Sequence, residues 1–148
     1  QAIKADAKYY DAYNNRMNIE MRTGRNDDAI ATAKKMEALK PGDAMVNLNL
    51  GIMLDKKGDA KQSLQYYTAA TNAIDKQLKL KPDTKTKAAL IIQKALIIRL
   101  MNDKAAFQSL LASLKKQSDI EPQTINVVTS IQDVPTSDLQ KSILPYLK

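Results

Sequence analysis

Apolar and polar positions along this chain recur mostly with the period of a helix. Between Ala88 and Met101, and again between Lys104 and Lys116, apolar side chains return every three or four residues, which predicts two helices joined by a turn at Asn102-Asp103. Toward the end, Leu139, Ile143, Leu144 and Leu147 share one helical face behind a break at Val134-Pro135 and a cap at Thr136-Ser137-Asp138. Before that break, Thr124 to Thr129 follows Glu121-Pro122 and is rich in branched residues, so the two short elements read as a last, degenerate hairpin. Pro41 and Pro82 cannot continue a helix interior and mark boundaries, with Asp43 and with Asp83 or Thr84 opening the helices beyond.

Two stretches superimpose at a fixed offset. Thr23 to Ile30 and Lys57 to Leu64 carry their glycines at Gly24 and Gly58, 34 residues apart. Glycine at those points supplies the left-handed backbone that ends one helix, and Asn26, Asp59 and Asp103 are placed to accept the free amides of the next. Asn49-Leu50-Gly51, Lys57-Gly58-Asp59, Tyr66-Tyr67 and Ala70 in the second copy, with Tyr13, Gly24, Ala29-Ile30 and Leu39-Lys40-Pro41 in the first, resemble the tetratricopeptide repeat family. The resemblance covers roughly the first half of the chain. Gly51 and Ala70 are small where two helices should cross closely.

Departures are as informative as matches. Arg16, Met17 and Glu20 stand where the family prefers leucine, a small residue and an aromatic, so the first helix is expected to pack loosely. Leu54 replaces a tyrosine and Ser63 an alanine. The second helix of the better copy runs to Leu80-Lys81-Pro82, about two turns or roughly 10 Å beyond the spacing of the first copy. Ala2 to Tyr9 resembles the closing turns and linker of a preceding repeat.

The resemblance implies an all-α, right-handed α-solenoid of antiparallel helix hairpins with a degenerate capping hairpin. The corresponding organisation is residues 1–9 as the end of a preceding repeat, repeats over 10–43 and 44–83, a degenerate repeat over 84–120, and capping helices over 121–148. The family binds partners on the concave face built from its first helices. On that register the face carries Asp11, Asn14, Asn18 and Met21, then Met45, Leu48, Asn49, Ile52 and Asp55, then Ala89, Ile92, Leu96 and Arg99. Asn18 and Asn49 match the asparagines with which chaperone-binding members grip a terminal carboxylate. Asn14, Ala89 and Gln93 stand where the basic residues of that clamp belong, so an amphipathic helix or extended apolar peptide suits the face better.

Composition narrows the chemistry. The 148 residues contain no histidine and no cysteine, which removes histidine bases, Ser-His and Cys-His nucleophiles and the usual zinc ligands. No glycine-rich phosphate loop occurs. Acidic residues such as Asp27-Asp28, Asp55 and Asp59 fall at caps and exposed positions, so no catalytic residue, cofactor or metal is expected. No apolar run approaches the ~18 residues of a membrane span. The formal charge of +7, from 23 basic and 16 acidic residues, suits an acidic protein surface or nucleic acid. Most lysines are single or paired, the densest set being Lys76, Lys79, Lys81, Lys85 and Lys87, and no base-reading pattern appears.

The expected function is therefore a protein-interaction scaffold or adaptor holding a peptide or amphipathic helix of another protein, in a soluble cytoplasmic or periplasmic setting. A basic module binding nucleic acid is the weaker alternative, and self-association stays open. The final helix has two readings: a cap over the apolar end of the stack, or a segment that folds back into the groove and competes with a partner.

Overall fold

The computed structural model describes residues 2–147, with side chains from residue 8 onward. Within them the chain forms eight α-helices and no strand: α1 Ala2–Arg22, α2 Asn26–Leu39, α3 Ala44–Lys57, α4 Ala60–Lys79, α5 Thr84–Leu100, α6 Lys104–Lys116, α7 Pro122–Ser130 and α8 Thr136–Ile143. The all-α class expected from periodicity holds. α4 has 20 residues against 14 in α2, as the late Leu-Lys-Pro implied.

Three turns share one hydrogen-bond pattern. Gly24 N–H donates to Met21 O at 3.1 Å and Arg25 N–H to Glu20 O at 2.8 Å. Gly58 and Asp59 repeat this onto Asp55 O and Leu54 O, and Asn102 and Asp103 onto Arg99 O and Ile98 O. These are paired helix-closing bonds that need a left-handed residue, and φ is 76° at Gly24, 92° at Gly58 and 57° at Asn102. The third turn lacks glycine because asparagine tolerates that region. Caps follow the aspartates: Asp43 accepts from Met45 N and Val46 N, Asp59 from Gln62 N, Asp83 from Thr86 N and Asp103 from Ala106 N. At α2 the N-cap position falls on Arg25 rather than Asn26, without a side-chain cap bond.

The opening segment differs from expectation. No linker follows Tyr9, because α1 runs unbroken from Ala2 to Arg22; nothing before Gly24 breaks a helix, and Ala2, Ala5, Ala7 and Ala12 favour one. Gln1 lies outside the described residues.

The chain divides into two compact units, Gln1–Ala70 with Lys141–Lys148, and Thr71–Gln140. In the first unit, α1 packs on α2 and α2 on α3. The loose packing expected of α1 is not found. Met17 and Glu20 are both buried, and the Glu20 carboxylate accepts from Arg16 Nε at 2.8 Å and Thr32 Oγ1 at 2.7 Å, so a polar tie to α2 fills the place of the aromatic. Asn47, also buried, donates to Glu37 Oε2 and Asp43 O, joining α2 to the start of α3. Lys57 and Asp27 pair at 2.9 Å.

Where α3 crosses α4, Ser63 Oγ donates to Gly51 O at 2.7 Å. The Tyr67 ring fills the space a Gly51 side chain would take; a Cβ there would collide with Cδ1 and Cε1 and lie 3.0 Å from Cγ. Glycine is required by this close approach. In the second unit, Ile91, Ala95, Ile98, Phe107, Leu111, Leu114, Ile120 and Val128 form the core, so α7 closes over α5 and α6. Lys94–Asp75 and Lys87–Asp119 ion pairs brace its surface.

Candidate interaction surface

The candidate surface of the first unit begins at Tyr10 of α1, whose phenol feels the carboxylate of Asp43, the residue that caps α3. Burial, then the charge and hydrogen bond of Asp43, then Asp11, push the Tyr10 phenol above its ordinary range, and the Lys40 ammonium lies 5.9 Å from its ring centre. Asn14 and Asn18 follow Tyr10 at successive fourth positions, and Met45 and Asn49 form the matching pair on α3. Asn14 is exposed, Asn18 and Asn49 are half-buried, and Met45 is 44 % exposed. The Asn49 amide oxygen is itself out of solvent and has no hydrogen-bond partner.

Leu48 and Ile52 do not belong to an open face. They are 2 % and 0 % exposed, in the core with Val46, Leu50, Met53 and Leu54. α3 is apolar nearly all round, and a helix of that kind is buried on most sides, so its register does not reveal which stripe stays open. Met21 is likewise buried.

Ile92, Leu96 and Arg99 lie in the second unit, each half-buried. Ile92 lines a cavity of about 370 Å³ with Ala88 of α5 and Thr124 and Val127 of α7. Arg99 is committed within the chain: Nε donates to Ile131 O at 3.1 Å and a terminal nitrogen to Val134 O at 2.5 Å, holding the turn between α7 and α8. Those two bonds give it a structural role, and it also lines the cavity beside it, of about 460 Å³, with Lys104, Phe107, Gln132, Asp133 and Thr136. Among the described residues no three acidic side chains gather into a cluster able to hold a metal, and no helix is long and apolar enough to cross a membrane.

Sequence reasoning missed three participants in the first unit: Tyr10, Arg22 and Tyr146. Tyr10 shares the stripe of Asn14 and could have been found by extending it one turn. Arg22 and Tyr146, whose guanidinium carbon and ring centre are 4.1 Å apart, are joined only by folding. Compared with protein-family models, curated proteins and solved structures, the chain matches none of them.

Proposed function

We propose that this chain is a protein-interaction module of tetratricopeptide type, which holds a peptide or helix of another protein between α1 and α3. The observation that carries the reading is the Asn49 amide oxygen. A buried acceptor without a donor costs about 1–3 kcal/mol, a cost removed when the half-buried Asn49 side chain turns outward to accept from the N–H of a bound peptide backbone. Exposed Met45 one turn earlier supplies an adaptable apolar contact beside it, and Asn14 and Asn18 supply hydrogen-bonding groups from α1. The family resemblance at Asn49-Leu50-Gly51 and at the glycine turns points the same way. An enzymatic role finds no support in a chain without histidine or cysteine. Nucleic acid is the lesser candidate, since Lys57, Lys87 and Lys94 are already paired with carboxylates.

The test compares capture of proteins from source-cell extract by the parent and by a Met45→Glu, Asn49→Ala variant shown by circular dichroism to be folded. Retention by the parent and loss by the variant supports the surface between α1 and α3. If both retain the same protein, or only nucleic acid that salt releases, the reading fails. Asn49→Ala alone should leave stability unchanged or raise it by about 1 kcal/mol, because it removes an unsatisfied group. Binding would then fall while folding does not.

A further inference from the structure

We propose that Lys141–Leu147 sits at the end of this same surface as a built-in occupant, and that the partner which displaces it carries the same chemistry: two leucines three residues apart, with an aromatic beside the second. The inference rests on the interaction reading above and names its ligand class. Lys141–Lys148 belongs to the compact unit that holds α1 to α3, although it follows helices of the other unit in sequence. Arg22, over whose guanidinium the Tyr146 ring lies at 4.1 Å, is one helical turn beyond Asn18, so the ring docks at the C-terminal end of α1. Leu144 and Leu147 are 6 % and 7 % exposed while Pro145 and Tyr146 between them face outward. That is the pattern of a docked peptide, with two buried anchors and an amphipathic rim. Beyond Ile143 the segment is no longer helical and is closed by a single turn bond, Leu147 N to Leu144 O at 3.2 Å. Its two buried leucines and the ring contact are anchors that a second segment of like composition can supply.

The test uses the full chain and a fluorescein-labelled, C-terminally amidated peptide of residues 136–148. A full-chain Leu144→Ser, Leu147→Ser variant vacates the surface, and peptide affinity is read by anisotropy. An occupant present nine-tenths of the time lowers apparent affinity about tenfold, so the variant should bind the peptide about tenfold tighter than the parent. A peptide carrying the same two serines should bind neither, and adding Arg22→Glu to the variant should weaken binding severalfold. Equal affinity for both chains, or no binding to a variant that is folded, overturns the proposal. Should the double variant fail to fold, hydrogen exchange on the parent decides. Excess peptide must accelerate exchange of the Leu147 amide while α1 and α3 stay protected, and unchanged exchange overturns the idea. A partner captured through Met45 and Asn49 but indifferent to the peptide overturns this inference and leaves the function reading standing. Peptide binding to the vacated chain in the absence of any captured partner supports this inference and sinks that reading.

Discussion

Replacing Gly51 by alanine sets two quantifiable effects against each other. Gly51 lies inside α3, where alanine is better than glycine by about 1 kcal/mol of helix propensity. Against that, the new methyl would overlap two carbons of the Tyr67 ring and lie 3.0 Å from a third, where carbon contacts ordinarily sit at about 3.5–4.0 Å. The ring has nowhere to go, because Tyr67 is buried beside fully buried Ala70, and the Ser63–Gly51 hydrogen bond fixes the helix separation. Overpacking of this kind costs about 1–3 kcal/mol, and a rigid ring between pinned helices belongs at the upper end. The net is a destabilisation of about 2 kcal/mol, or a fall in Tm of about 4–8 °C for a chain of this size. Urea unfolding followed by circular dichroism gives the number. In a Tyr67→Ala background the sign should reverse, since the methyl then enters a cavity and the propensity gain of up to about 1 kcal/mol remains. A neutral or stabilising Gly51→Ala in the parent, or equal loss in both backgrounds, would refute the crossing argument.

Other outcomes follow from the same contacts. Burial raises the Glu20 carboxyl, but hydrogen bonds from Thr32 and Arg16 and the charges of Arg16 and Arg25 outweigh it and hold the group below its ordinary range. Its stabilisation is therefore complete above the range of an unfolded glutamate and is lost as pH falls through the lower, folded value. Glu20→Gln should cost about 1–2 kcal/mol at pH 7, and the gap from parent should shrink with acid in denaturant titrations run at descending pH. Asn102→Gly should be tolerated, whereas Asn102→Val should destabilise by at least about 1 kcal/mol, because φ is 57° there; thermal melts separate the two. Asp43→Ala, which removes the acceptor of two α3 amides, should cost about 1 kcal/mol by the same melts. Leu48→Glu should abolish cooperative unfolding, unlike Met45→Glu, which places its charge in solvent.

What could be read from the sequence was local. Gly24, Gly58, Asp43, Asp59, Asp83 and Asp103 act on backbone groups within five residues, so the residue type alone announces the turn or cap. The turn at Asn102-Asp103 was read too, but without its left-handed residue, because asparagine announces that backbone less distinctly than glycine. Glu20 was misjudged for a different reason: its partner Thr32 is on another helix, and no pattern within α1 says that a buried carboxylate will be satisfied there. The candidate surface was half legible. Asn14, Asn18, Met45 and Asn49 keep some exposure, but an all-round apolar α3 gives Leu48 and Ile52 the same signature as an open stripe. Arg99 looked available because carbonyl acceptors, unlike carboxylates, leave no mark in a sequence.

The Arg22–Tyr146 contact also has a place in time. Its residues are separated by more than a hundred positions, and closing so long a loop in the unfolded chain costs about 4 kcal/mol of entropy. An exposed cation–π pair returns about 0.5–1 kcal/mol, so it cannot nucleate anything. The helix pairs, whose turns close over a few residues, must form first, and the C-terminal segment docks onto a surface that already exists. A contact that arrives last, on a finished surface, is also the one whose loss the rest of the unit survives.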